Sequence, residues 1–297
     1  MMKILILTGG NSSERTVSLN SAKNVKNALL KNGHKVKFYD LKNGYEGIKN
    51  LAEQYDILFP VLHGEEGEGG TLHKFISKIN KPIVGGRNYK EFHRAWYKIS
   101  FKKFCDDNKI TTSPWRIVKN DKDVLSFGFP CVLKTSSGGS SKEVVILKSK
   151  NDLKKQNYKK IINLKNPVFV ERYINGTEVT VGIVNGKAYP LLEIIPPKGS
   201  WFNYKNKYWN TSKEIPFAPS VDKKLQIKIQ KIALKIYRSF DIGSYCRIDF
   251  IINNNIPYVL ELNTIPGMTP GSLLPKQAKA AGISFNQLME ILIKSAK

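Results

Sequence analysis

Hydrophobic residues fall along the chain in two rhythms, short solid runs and helical repeats. Ile4-Leu5-Ile6-Leu7 is a continuous apolar run ending at Thr8-Gly9-Gly10, the pattern of a buried strand that enters a tight turn. Leu19, Ala22, Val25 and Leu29 then recur at helical spacing, and Asn32-Gly33 supplies a left-handed stop. Residues 36–39 and 57–62 read as further strands, and a helix is expected near Thr71 after a glycine-rich loop. Residues 1–85 are therefore predicted to form an alternating β/α unit.

Residues 98–108 are helical in pattern, and Pro114 breaks the run before a strand at 115–118. Two apolar arms, 131–134 and 144–147, flank Thr135-Ser136-Ser137-Gly138-Gly139-Ser140-Ser141, which predicts a hairpin with a loop of small donors. Strands are expected at 168–171, 178–184 and 188–194, and a long helix over 222–240 carries Leu225, Ile229, Ile232 and Ile236. No repeat or low-complexity linker appears.

The last predicted hairpin carries the sharpest local chemistry. Residues 245–251 and 257–263 flank Asn253-Asn254-Asn255. Alternation places Arg247 with Asp249, and Glu261 with Asn263, and a turn near Asn254 sets Asp249 roughly opposite Glu261. Two carboxylates and an amide oxygen beside an arginine suit a hard divalent cation that shares its remaining positions with phosphate. A cross-strand salt bridge on a half-exposed sheet gives the same pattern, so both readings stand. No GxxxxGK[ST] loop exists and no GxGxxG follows the first strand. Lys134, just before the Gly-Ser loop, could supply a point charge to phosphate while backbone N–H groups wrap it; a plain hairpin tip is the alternative.

Composition narrows the class. At 297 residues with 41% hydrophobic and 24% charged residues, the chain can bury a large core and is not disordered. The formal charge is +24, which favours polyanionic partners in general. By residues 1–85, 86–172 and 173–297 the cations and anions number 12 and 8, 20 and 8, and 16 and 8. A surplus this scattered, without interleaved aromatics, reads as a lysine-rich surface rather than a specific nucleic-acid site. Cys105, Cys131 and Cys246 form no CxxC, and no run is long enough to span a membrane, so a cytoplasmic protein is expected.

These residues resemble the D-alanine–D-alanine ligases of the ATP-grasp superfamily from end to end. The resemblance is carried by Thr8 through Ser18, His63-Gly64 through Thr71, Lys134 through Ser141, Arg247-Ile248-Asp249 and Glu261 through Thr269. It implies a mixed α/β and α+β, three-domain ATP-grasp fold. Its parts are an N-terminal α/β substrate domain over 1–85, a central domain over 86–172, and a C-terminal domain over 173–297 with the metal and substrate sites.

The resemblance implies that ATP phosphorylates one D-alanine, whose acyl phosphate is attacked by the amine of a second, for peptidoglycan precursor synthesis. It matches Asp249, Glu261 and Asn263 to ligands of Mg²⁺ or Mn²⁺, as two ions, and Lys98 and Lys134 to phosphate contacts. Glu171, Arg172, Tyr173, Ile174, Glu178 and Lys207 match the nucleotide site, and Arg247 and the Gly267 N–H match the groups that stabilise the oxyanion. Glu14 and His63 match the first-substrate site, with helix capping by an Asn11-x-x-Glu14 pattern the plainer role for Glu14 and a satisfied core histidine the plainer role for His63. Ser272 and Leu273 match the second-substrate site, and Ser140 and Tyr208 join Glu14 in ordering the mobile loop. Lys207-Tyr208, with no histidine nearby, matches ligases that use an amine rather than D-lactate. Lys142-Glu143 replaces the usual Val-Gly and Gly69 a common Asp. A homodimer is implied, and no membrane or specific nucleic-acid partner. The rival readings are another ATP-grasp carboxylate–amine ligase and a basic nucleic-acid-binding protein on the same fold.

Overall fold

The structure, a computed structural model, describes residues 1–139, 143–162, 166–209 and 211–297, without the side chains of Tyr204 and Tyr208. Ser140, Ser141 and Lys142 lie outside the described residues.

Three sheets follow one another along the chain. The first is parallel, in the order β2-β1-β3, from β1 (Lys3–Thr8), β2 (Lys35–Asp40) and β3 (Ile57–Pro60). Helices α1 (Arg15–Lys31) and α2 (Glu46–Ala52) make its crossovers. Ile4 through Leu7 are fully buried, as a strand covered on both faces requires. After it come α3 (Thr71–Ile76), α4 (Tyr89–Trp96) and α5 (Lys98–Asp107).

The second sheet is antiparallel, in the order β4-β7-β5-β6. Its strands are β4 (Trp115–Val118), β5 (Cys131–Thr135), β6 (Val144–Leu147) and β7 (Val168–Arg172), with α6 (Asp121–Phe127) and α7 (Gln156–Ile162) on the chain between them. The predicted hairpin is present, with Cys131 opposite Leu147 and Lys134 opposite Val144.

The third sheet runs β11-β10-β8-β12-β13, with β9 on β8. Its strands are β8 (Thr177–Val184), β9 (Lys187–Ala188), β10 (Leu192–Ile195), β11 (Lys213–Pro216), β12 (Tyr245–Asn253) and β13 (Ile256–Asn263). The helices α8 (Tyr204–Tyr208) and α9 (Lys223–Ser239) interrupt it, and α10 (Leu273–Ala280) and α11 (Phe285–Lys294) end the chain. The single strand expected at 188–194 is two strands, with Pro190 in the gap, where its missing N–H cannot serve a ladder.

One face of this sheet is core and the other is site. Cys246, Ile248 and Phe250 of β12 pack with Leu225, Ile229, Ala233 and Ile236 of α9. The Asp222 side chain starts α9 by accepting from the Lys224 and Leu225 N–H groups at 2.8 and 3.4 Å. Arg247 and Asp249 alternate to the opposite face.

The chain leaving the first sheet crosses the entry to β12 at backbone distance. Gly243 has φ +87°, and a β-carbon there would lie 1.8 Å from the Gly85 carbonyl oxygen. Gly33 has φ +83° but nothing within 4 Å. Gly33→Ala is expected to lose only the left-handed penalty, about 1–2 kcal/mol. Gly243→Ala adds a backbone collision and is expected to lose roughly 3 kcal/mol or more. Urea unfolding midpoints check this, and equal losses would contradict it.

Candidate active site

The hairpin β12–β13 turns at Asn254 and Asn255, both at positive φ, the conformation of a tight hairpin turn. From there the ladder pairs Ile251 with Tyr258 and Phe250 with Val259. Continued evenly, it would set Asp249 against Leu260 and turn Glu261 to the core face. A β-bulge intervenes, so Asp249 pairs with Glu261 and Arg247 with Asn263. One extra residue, Leu260, thereby brings four polar side chains to one face.

Arg247 grips Asp249 in a fork, Nε to Oδ1 and Nη2 to Oδ2, each at 2.9 Å. Thr180 of neighbouring β8 donates to Asp249 Oδ1 at 2.6 Å, and Asn263 Nδ2 donates to Oδ2 at 3.0 Å. Burial raises the Asp249 carboxyl, but the paired guanidinium outweighs it and the group is held below its ordinary value. Burial likewise opposes the charge on Arg247, and Asp249 and Glu261 reverse the effect and hold it protonated.

The second sheet faces this platform with cations. Glu171, at the end of β7, receives Lys102 on Oε2 and Lys134 on Oε1, both at 2.5 Å. Burial alone would raise its carboxyl, yet the two ammonium groups hold it down at about 2. Lys102 is 1% exposed and also donates to Thr112 Oγ1. Lys98 opens α5, and its ammonium donates to the Gly138 carbonyl at 2.6 Å. Glu178 lines the same space, where burial first, then Asp249 and Glu261, push its carboxyl up to about 8 against Lys207 and Lys134. Arg172, Tyr173 and Ile174 line it too, with the Arg172 guanidinium donating to the Phe127 carbonyl at 3.1 Å. Lys207 lies at the rim with its ammonium 5.1 Å from the Phe202 ring.

The first sheet and the chain after β13 close the other end. Glu14 directly precedes α1, so the helix starts there and Asn11 does not cap it. His63 contacts Ser21 Oγ through Nε2 at 3.3 Å, and its Nδ1 lies 3.9 Å from Glu68. Burial raises the Glu68 carboxyl. Ser272 Oγ accepts from the Thr269 N–H at 3.2 Å, just before Leu273 begins α10. A β-carbon on Gly267 would lie 2.9 Å from that oxygen.

Glu14, His63, Lys98, Lys134, Glu171, Glu178, Lys207, Arg247, Asp249, Glu261, Asn263, Gly267, Ser272 and Leu273 thus share one cavity of about 780 Å³. Ser140 and the Tyr208 side chain lie outside the described residues, although the Tyr208 backbone ends α8.

A family model described as "D-ala D-ala ligase C-terminus" matches residues 101–294. The chain belongs to the D-alanine–D-alanine ligase family. It is similar along 99% of its length to "D-alanine--D-alanine ligase" of Maridesulfovibrio salexigens, at 38% identity and 98% of that protein. It is 36% identical to the Aquifex aeolicus protein of the same name, over 98% of this chain and all of that one. The structure of D-alanine–D-alanine ligase from Bacillus anthracis complexed with ATP matches with a TM-score of 0.86 at 30% identity, covering 99% of this chain and 97% of that one. The fold is that of the ATP-grasp ligases. Among the described residues no helix is long and apolar enough to cross a membrane.

The donor set fits a hard cation. No group of three His, Cys, Asp or Glu side chains converges among the described residues, which is not a zinc pattern. Glu261 has no hydrogen bond or ion pair within 4 Å among them, so its oxygens are open, beside one Asp and one Asn. Few protein oxygens, with room for phosphate, is what Mg²⁺ takes.

Three side chains at the site lacked a sequence signal of their own. Lys102 is one lysine among many, Thr180 is one β-branched residue in a strand, and Glu68 sits within a run of acids and glycines. Spacing gives one clue, since Lys98 and Lys102 share a helix face. Glu171→Gln leaves two buried ammonium groups facing a neutral amide and is expected to cost about 3–5 kcal/mol at pH 7. The depressed carboxyl gives its stabilisation in full above its ordinary value of 4.5 and loses it as pH falls toward about 2. The wild-type urea midpoint should therefore fall across that window and the variant's fall less; parallel curves would contradict the pairing.

Proposed function

We propose that this chain joins two molecules of D-alanine into D-alanyl-D-alanine at the expense of ATP. The observation that carries the reading is the meeting, in one cavity, of a carboxylate–amide platform, the partly buried cations Lys98 and Lys134, and a separate carboxylate–histidine end. The ATP complex of the similar Bacillus anthracis ligase supports ATP as the nucleotide.

Glu171, the Arg172-Tyr173-Ile174 segment and Glu178 hold the adenine and ribose. Lys98 and Lys134 meet the phosphates as fixed point charges, with Lys134 anchored by Glu171. Asp249, Glu261 and Asn263 would hold Mg²⁺ or Mn²⁺, as two ions, which neutralises charge on the phosphates when bound. Glu14 receives the ammonium of the first D-alanine, and His63, held by Ser21, stands beside it. A carboxylate oxygen of that D-alanine attacks the γ-phosphorus, the bond to the β–γ bridging oxygen breaks, and ADP leaves. The second D-alanine, its carboxylate at Ser272 and Leu273, loses a proton from its ammonium and attacks the acyl carbon. Arg247 and the Gly267 N–H steady the oxyanion, and phosphate leaves as the amide forms. Ser140 and Tyr208 are assigned with Glu14 to ordering the loop over the site.

The three-part division into 1–85, 86–172 and 173–297 belongs to this reading, supported by each sheet falling within one part. Cytoplasmic residence is supported by three free, buried cysteines. A homodimer follows from the family resemblance, and light scattering checks it.

Glu261→Gln is expected to lower D-alanine-dependent ADP release at least about 10³-fold at millimolar Mg²⁺, while Asn263→Asp keeps measurable turnover. Near wild-type activity of Glu261→Gln would overturn the platform. In competition between D-alanine and D-lactate at neutral pH, mass spectrometry is expected to find the dipeptide in large excess. A neutral Tyr208, unlike a cationic histidine, does not repel the incoming ammonium. Dominant D-lactate incorporation would reject amine selectivity and leave the ligase assignment intact.

A further inference from the structure

Trp96 ends α4, two residues before Lys98, and lines the same cavity as Glu14. Its position can be bounded from Gly139. A β-carbon there would lie 2.7 Å from Glu14 Oε2 and 3.2 Å from Trp96 Cη2. Two atoms that close to one point are within about 6 Å of each other, so an ammonium group paired with Glu14 would sit near the indole edge. The Trp96 ring centroid lies 5.8 Å from the Lys98 ammonium. The indole thus lies near both the carboxylate assigned to the first amino acid's ammonium and the Lys98 ammonium.

The Trp96 Nε1 is buried without a hydrogen-bond partner among the described residues. The far edge of the indole abuts the Gly138-Gly139 tip, whose Gly138 carbonyl is taken by Lys98. An aromatic ring there adds bulk to the cavity wall beside Glu14.

We infer that Trp96 is a specificity-determining wall of the first-substrate subsite, limiting the first amino acid to a small side chain and contacting its ammonium through the ring. This rests on the ligase reading above. A wall of this kind discriminates by about 10–200-fold per excluded methylene.

The test uses the full chain, with D-alanine and D-2-aminobutyrate in competition and fragment mass spectrometry to tell which residue occupies the amino-terminal position of the dipeptide. Trp96→Leu is expected to raise the ratio of D-2-aminobutyrate to D-alanine at that position at least about tenfold. It should raise KM for the first D-alanine and leave KM for ATP within about twofold. Trp96→Phe, which keeps a ring, should stay within about threefold of wild type in both ratio and KM. An unchanged ratio in Trp96→Leu, or a gain confined to the carboxyl-terminal position, would overturn the inference. So would equal loss in Trp96→Leu and Trp96→Phe with a lowered unfolding midpoint in both, which marks a packing role. Wild type that releases no ADP in response to D-alanine would refute the ligase reading itself and is distinguishable from each of these.

Discussion

A carboxylate taken out of water needs its oxygens filled, and Asp249 fills them from three directions. Arg247 supplies the fork along its own strand, Thr180 reaches across from β8, and Asn263 reaches across from β13. The last of these exists only because Leu260 is an extra residue in the ladder. Without the bulge, Glu261 and Asn263 would face the apolar layer formed with α9. The same irregularity sets Glu261 on the platform with no ion-pair partner within 4 Å among the described residues. Asp249 is held in place by its partners, while the Glu261 oxygens have no hydrogen-bond partner among the described residues.

The second sheet applies the same principle with opposite sign. A buried ammonium near phosphate is useful only if it stays charged and stays put, and burial works against the first. Glu171 resolves this for Lys134, whose ammonium is held above its ordinary value against burial, and takes Lys102 on its other oxygen. Lys102 also meets Thr112, whose hydroxyl donates to the Val259 carbonyl of β13 at 3.0 Å. Cation row and carboxylate platform are therefore joined by one chain of polar contacts. Chemistry that depends on positioning and charge rather than on covalent catalysis needs this rigidity.

Much of this was legible in the sequence because it rests on local periodicity. The solid run at Ile4 gave the first strand, the repeat from Leu225 to Ile236 gave α9, and counting back from Asn254 put Asp249 against Glu261 to within a residue. The bulge itself was not legible, since an extra Leu260 leaves no mark on composition or alternation. Pro190 splits an apolar run that otherwise reads as one strand. Short helices such as α2 and α7 escaped because seven residues hold too few turns for a repeat to show. Trp96 and Lys102 read as an aromatic and one lysine of many; their places depend on contacts with Gly139 and Glu171, distant in sequence.

The central claim is that phosphate leaves from an acyl phosphate made on the first D-alanine, held between the cation row and the Asp249–Glu261 platform. The direct measurement is the fate of oxygen. D-alanine labelled with ¹⁸O in both carboxylate oxygens is turned over with unlabelled Mg-ATP, and the released phosphate is analysed by mass. The carboxylate oxygen that attacks phosphorus departs with it, so each phosphate should carry one ¹⁸O and the new amide carbonyl should retain the other. Phosphate released without label would mean that the γ-phosphoryl group never rested on D-alanine, and would contradict the account.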